Sequence, residues 1–409
     1  MNGRDPADGL RQALVINALT EDIMASDLDT RRLADKAKIL DVAAGRTLPA
    51  YYYTDPAVLE IEKRELFFTS WQFACHVSAL DRPGSYKTME IFDQEIVLTC
   101  DGDGTIRAFY NVCAHRGHAL VEGAGEVRRL VCPYHAWTYA LDGRLIGVRR
   151  GEGTTAVARS EICLTEIRTD RLLDFIFVNL DPDAAPMAEL YPGIEAEIEA
   201  AIPGVRSFVP TSNQRRADVP MQCNWKVILD NYLECYHCEA AHASFCDLVR
   251  VDEVSHRFAD RHMHQYLPPR GKADNAAYPL DLAEDQLDSN FWFLFPNITI
   301  GHLPGVRSLT ISRIVPLTPE TSARRFTMLM TPGGDRARDQ ARTDFLLSDV
   351  GAEDVALCEG VQRGMRQRGF NQGHYMIDPD DENFTEEGVR FFHRLYCEAL
   401  EARLAAETR

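Results

Sequence analysis

Cys113-Ala114-His115-Arg116-Gly117 is followed, with sixteen residues between His115 and Cys132, by Cys132-Pro133-Tyr134-His135-Ala136-Trp137. Each segment pairs one thiol with one imidazole, as C-x-H and then C-x2-H. Two hairpin signals frame them. Ile96–Cys100 and Thr105–Tyr110 flank Asp101-Gly-Asp-Gly104, and Trp137–Leu141 and Arg144–Val148 flank Asp142-Gly143. The donors Cys113, His115, Cys132 and His135 therefore sit at strand ends in a region, 84–180, of short strands and tight turns. Two thiolates and two neutral imidazoles suit a [2Fe–2S] cluster with one iron on the cysteines and the other on the histidines. Zinc also accepts two Cys and two His, but Arg116-Gly117, Pro133-Tyr134 and Trp137 extend the pattern beyond bare zinc spacing, which favours the cluster. Cys75, Cys100 and Cys163 have no partner motif here and read as buried packing residues.

A second constellation runs from Asn224 to His242, with Asp230, Glu234, His237 and His242 inside thirteen residues and neither Gly nor Pro from Asp230 onward. On one continuous helix Asp230, Glu234 and His237 share a face. His237 and His242, five apart, would then diverge by about 140°. Both reach one metal only if the helix widens into a π-bulge or ends near His242. Two imidazoles and a carboxylate from elsewhere form the facial triad of non-haem Fe(II) oxygenases. Cys235 and Cys238 offer a C-x2-C pair that suggests either zinc or two small apolar fillers.

The 409 residues, 45% hydrophobic and 26% charged, are enough for two or more cored domains. A net charge of −18 argues against nucleic-acid binding. The most apolar segments, 172–180 and 291–300, are too short to span a bilayer, and the first twenty residues hold no signal-like apolar run. Eleven cysteines at irregular spacing point to a reducing cytoplasm, not a disulfide framework. Without a G-x-G-x-x-G or P-loop, no nicotinamide site is expected on this chain.

C-x-H-R-G with C-P-Y-H-x-W, followed by N-W-K-x3-D-N-Y-x-E-C-Y-H-x4-H, resembles the large (α) subunit of Rieske non-haem iron oxygenases, from about Tyr51 to the C-terminal helix. Respiratory Rieske proteins carry an extra cysteine in each cluster loop, where this chain has His118 and Tyr134. The resemblance implies an α+β protein with an all-β Rieske domain (48–182) and a catalytic domain (183–409) of antiparallel sheet flanked by helices, preceded by a helical segment, 1–47, packed on the latter. It implies that His237 and His242 bind a mononuclear Fe(II), that Glu234, usually Asp in the family, bridges toward the cluster of a neighbouring subunit, and that Asp230 and Asn231 steady the ligands. The third ligand it implies is Asp354, with Glu353 and Glu359 as competitors. Asp354 shares a helical face with Cys358, Val361 and Met365.

The family takes electrons from NAD(P)H through a separate flavin and iron–sulfur reductase, uses O2 as co-substrate, and assembles as head-to-tail homotrimers. Glu234-Cys-Tyr-His-Cys238 is more like the branch oxidising quaternary ammonium compounds, by N-demethylation or C–H hydroxylation, than aromatic-ring dioxygenases. Two rivals stand beside this expectation: a ring dioxygenase acting on an aromatic acid, and a Rieske electron-transfer protein with no oxygenase activity. Phe291–Ile300 and Val306–Val315 read as strands flooring the pocket. Residues 251–272, with His256, His262 and His264, read as a solvated loop, and Asn383 as the cap of the last helix.

Overall fold

The computed structural model describes residues 45–150, 159–211, 218–378 and 385–407. The expected helical segment 1–47 lies almost wholly outside them. Three antiparallel sheets organise the chain. The first places Gln72–His76, Phe175–Asn179, Glu166–Leu172, Ile106–Tyr110, Gln94–Cys100, Ser85–Ile91 and Ala124–Glu126 side by side. A small sheet of Leu130–Val131, Thr138–Tyr139 and Leu145–Gly147 sits beside it and carries the second cysteine–histidine loop. Both hairpin turns form as expected. Asp101 Oδ1 accepts from the amides of Asp103 and Thr105. Gly143 has φ 89, and a Cβ there would meet the Phe109 ring at 2.6 Å, so only glycine fits.

The third sheet runs Val209–Pro210, Thr321–Met330, Ser308–Thr318, Ile298–His302, Ser289–Leu294, His262–Leu267 and Ser255–Phe258, with Asp218–Met221 also pairing on Thr321–Met330. The architecture is α+β, with an all-β N-terminal unit and a helix-flanked antiparallel catalytic sheet. The segment read as a solvated loop is instead two strands at the edge of this sheet. His262 and His264 are both 4% exposed. His264 stacks on Trp292 at 4.6 Å and approaches Glu197 at 3.1 Å. Burial pushes His256 down to about 4, so it is neutral at physiological pH. Strand alternation hides these imidazoles, and their polarity had suggested solvent.

Helices beside the catalytic sheet include α1 Trp225–Tyr232, α2 Cys238–Ala241, α3 Ala243–Leu248, α4 Val350–Met365 and α5 Glu387–Glu407. Asn224 caps α1 by accepting from the Lys226 amide. Thr385 accepts from the first amide of α5, and Asn383, expected as the cap, lies outside the described residues. The region 55–70 folds as the helix Pro56–Glu62, capped by Asp55, running into a widened turn Lys63–Phe67. Its apolar residues Val58, Ile61, Leu66 and Phe67 join the core of Trp225, Phe392 and Tyr396. Inside that core Glu62 accepts from Lys226, Trp225 and Tyr396, with Glu62 and Lys226 both fully buried. Residues 48–67 thus pack with the core of the larger domain.

The two units meet through apolar contact. Trp71, Phe73, Phe175 and Phe177 join one core with Trp292, Ile300 and Leu309, and Gln72 exchanges amide hydrogen bonds with Asn297. Among the described residues no helix is long and apolar enough to cross a membrane. Cys75 and Cys100 are buried as expected, while Cys163 is exposed.

Candidate metal centres

The cysteine–histidine loops are held by short backbone hydrogen bonds. The Gly117 amide donates to Cys113 O, and the Cys113 amide to His118 O. In the second loop the Ala136 amide donates to Cys132 O, and the Cys132 amide to Trp137 O. Gly117 and Ala136 both take positive φ, 76 and 57, which tightens each turn around its donors. Cys113 and Cys132 are buried, and their thiols are free. The Tyr139 hydroxyl lies 3.3 Å from Cys113 Sγ and accepts from the Ala114 amide. His115 stacks on Trp137, 4.7 Å apart and 9° from parallel, and its centroid lies 4.6 Å from that of His135. His135 Nδ1 is buried without a hydrogen-bond partner. A buried lone pair with no donor is costly, and it fits a ring that hands this atom to iron. The residues present suit a [2Fe–2S] group.

The second site forms because the stretch 224–242 is not one helix. It ends at Tyr232, resumes for the single turn α2, and bends again at His242 (φ −123, ψ 68) before α3. Helix α5 enforces the first break: at Gly388 a Cβ would lie 2.0 Å from Leu233 O, so the two backbones touch. His237 caps the start of α2 and His242 its end, which removes the divergence expected of a continuous helix. Cys235 and Cys238 are joined by a disulfide, which excludes both the zinc pair and the free apolar fillers.

One donor atom each from His237, His242 and Asp354 lies within 4.8 Å of the others. His242 Nε2 is 3.2 Å from His237 Nε2 and 2.9 Å from Asp354 Oδ1, and His237 Nε2 is 3.5 Å from that oxygen. Such edges, near 3 Å, match donors on one face of an octahedral ion with bonds of about 2.1 Å. Each imidazole is turned by a carboxylate at its other nitrogen: His237 Nδ1 meets Glu234 Oε1, and His242 Nδ1 meets Glu353 Oε2 at 2.7 Å. A carboxylate at Nδ1 fixes the proton there and leaves the Nε2 lone pair for a metal. Burial drags His237 down, but Asp354 and Glu234 outweigh it and lift it to about 10. Burial likewise raises Asp354, and the two imidazoles pull it far below the usual carboxylate range. The donor set is built to share positive charge, which suits a divalent metal.

Asn231 donates to Asp354 Oδ1 at 3.1 Å and lies 3.3 Å from His237 Nε2. Asp230, expected to steady the ligands, points elsewhere: it accepts from Tyr53 and pairs with His393 at 2.9 Å. Glu359 accepts from the Gln222 amide and is remote from the donors. Along α4, Cys358 is buried but Val361 is 47% exposed, so the expected apolar face is narrower. Sequence reasoning named Glu353 only as a rival ligand; its place one residue before Asp354 was the available signal. It missed the polar floor of the adjoining pocket, where Thr299, Thr310, Ser312 and Arg324 line the wall with Phe245, Phe291 and Phe326.

The Rieske [2Fe-2S] domain family matches residues 70–158, and the ring hydroxylating alpha subunit (catalytic domain) family matches 208–402. The carnitine monooxygenase oxygenase subunit of Escherichia coli (strain K12) is 33% identical over 356 residues, 87% of this chain and 94% of its own. The chain belongs to the Rieske oxygenase α-subunit family. Chloroplastic choline monooxygenase of Beta vulgaris is 28% identical over 87% of this chain and 77% of its own. The quaternary ammonium Rieske monooxygenase CntA, solved with L-carnitine, superposes with a TM-score of 0.76 at 29% identity, covering 87% of this chain and 95% of that one. Within its family the chain groups with these quaternary-ammonium monooxygenases. As a Rieske oxygenase it is an oxidoreductase whose cofactors are a [2Fe–2S] cluster and a mononuclear iron, and an electron-transfer protein without a catalytic domain is excluded.

Proposed function

We propose that this Rieske oxygenase monooxygenates a quaternary-ammonium, betaine-like substrate by N-demethylation or C–H hydroxylation. Cys113, His115, Cys132 and His135 hold the cluster, and His237, His242 and Asp354 hold the iron. When bound, the cluster supplies single electrons and the iron a site for activating O2. The chain's own part is positional. Glu234 and Glu353 keep the protons of His237 and His242 on Nδ1, and Asn231 holds Asp354 by its amide.

The observation that carries the reading is the convergence of the three donors on the wall of an aromatic-lined pocket. A trimethylammonium group offers no ordinary hydrogen-bond donor and is held by aromatic faces. Phe291 and Phe245 present such faces beside the donors, whereas Trp292 points to the opposite core. We assign Glu234 to the bridge between His135 of one subunit and His237 of the next in a head-to-tail homotrimer. The exposed rim of the cluster loops supports a partner there: Val112, Val131 and Tyr134 are 42%, 42% and 55% exposed. A separate flavin and iron–sulfur reductase drawing on NAD(P)H, and a cytoplasmic location, complete the proposal.

Iron analysis with product analysis tests it. About three irons per chain are expected, with O2 uptake coupled to formaldehyde or a hydroxylated fragment from a betaine. A cis-dihydrodiol or phenol from an aromatic acid, with no betaine turned over, would sink it.

A further inference from the structure

The two faces of the catalytic sheet differ sharply in chemistry. One face sends Trp292, Leu294, Ile300, Leu309 and Ile311 into an apolar core. The other carries hydroxyls to the pocket, with Thr299 opposite Ser312 and Gly301 opposite Thr310. On the adjacent strand this face holds Arg324. Its Nε donates to Ser312 Oγ at 3.1 Å and its Nη2 to Thr299 Oγ1 at 3.2 Å. Its guanidinium lies between the rings of Tyr232 and Phe326, 5.1 and 4.8 Å from their centroids. No carboxylate among the described residues forms an ion pair with it. Arg342, which also lines the pocket, has one in Asp339 at 2.8 Å. Burial presses Arg324 downward, and Asp354, already engaged by His237, His242 and Asn231, only partly opposes this. A pre-oriented buried cation without a counter-ion is costly unless a ligand supplies the anion. The Thr310 hydroxyl on the same wall, buried with no hydrogen-bond partner among the described residues, is a second donor.

We infer that Arg324 anchors a carboxylate of the substrate, so that the pocket selects zwitterionic betaines over choline-like cations with no acid group. A bare trimethylammonium alcohol would bring a second positive charge to the guanidinium. A betaine brings the missing negative one and leaves its ammonium for Phe245 and Phe291. This rests on the quaternary-ammonium reading above and narrows it to one of the two chemistries seen among the relatives, carnitine rather than choline.

Calorimetric binding of L-carnitine, γ-butyrobetaine, their methyl esters and choline to the iron-loaded holoenzyme tests the anchor. The acids should bind about 100-fold tighter than esters or choline. Arg324→Gln should erase that gap by weakening the acids alone, with Arg324→Lys intermediate, and in turnover the loss should fall on KM. Equal binding of acid and ester by the unaltered protein, or an equal weakening of both in Arg324→Gln, overturns the anchor while quaternary-ammonium turnover persists. Binding of no trimethylammonium compound in any form overturns the proposed function itself, and the anchor with it.

Discussion

His115 and His135 stand at the tips of two tight loops and meet no carboxylate among the described residues, whereas His237 and His242 each press Nδ1 against one. The cluster donors come from neighbouring loops whose shape is set by local backbone hydrogen bonds and two positive-φ residues. The iron donors come from α2 and α4, and His242 and Asp354 are 112 residues apart in sequence. One donor set is thus fixed by turn geometry, the other by the packing of a whole domain. The difference suits their chemistry. Imidazoles without a carboxylate behind them suit a cluster reached by a partner, while carboxylate-backed ones suit a mononuclear metal beside a substrate pocket.

The largest expected effect separates the two sets outright. Asp354→Ala or His237→Ala should abolish oxygenation and lose one iron per chain while the visible and EPR spectra of the cluster persist. Cys132→Ala should bleach those spectra. An Asp354→Ala protein with full iron and full activity would refute the proposed ligand set. Next in size is a change remote from both metals. Lys226→Met leaves Glu62 buried and uncompensated at the root of α1, and burial already depresses the Lys226 ammonium. Removing one partner of such a pair costs about 3–5 kcal/mol. Urea unfolding followed by helix signal should shift to a lower midpoint, with cluster absorbance unchanged in the absence of urea. If the midpoint does not move, the packing of residues 48–67 contributes less than argued here.

The same contrast explains what could be read from the chain. The cluster loops were legible because their geometry is local: the spacing, the Asp-Gly turns and Trp137 all act within a few residues. Asp354 was accessible mainly through the family resemblance, since the only local signal separating it from Glu353 was the helical face it shares with Cys358, Val361 and Met365. The break at Leu233 was not legible, because it is imposed by Gly388, far along the chain. The strands at Ser255–Phe258 and His262–Leu267 were missed for a related reason. His264 is polar in composition but buried, stacked on Trp292 and in contact with Glu197, partners that only the fold supplies. Arg324 carried no signal, because its meaning lies in having no ion-pair partner among the described residues.

The bridge between the two sets gives the third prediction. Glu234 accepts from both the ring and the amide of His237, one through each oxygen, so glutamine keeps the shape but loses the charge and one of the two acceptors. In Glu234→Gln both metals should load and the reductase should still reduce the cluster, yet product formation should fall by about 100-fold. A fully active Glu234→Gln, or an active monomer in solution, would remove the relay and leave the two sites as neighbours only by sequence.

The smallest effect concerns the second backing carboxylate and settles which acid of α4 does what. Glu353 accepts from His242 Nδ1, so Glu353→Gln retains an acceptor oxygen of the same shape and removes only the charge that strengthens the imidazole as a donor. Iron affinity should drop by about 10-fold, at the low end of what outer carboxylates contribute. Glu353→Leu, which removes the acceptor and frees the ring to turn, should lose nearer 100-fold. Chelator competition for the mononuclear iron reads both losses, with cluster absorbance as an internal reference that should not change. The graded pair matters because a directly coordinating residue would behave otherwise: Glu353→Gln would then empty the site as completely as Asp354→Ala. That result would exchange the two assignments, making Glu353 the ligand and Asp354 the support, and carboxylate backing would no longer separate one histidine pair from the other.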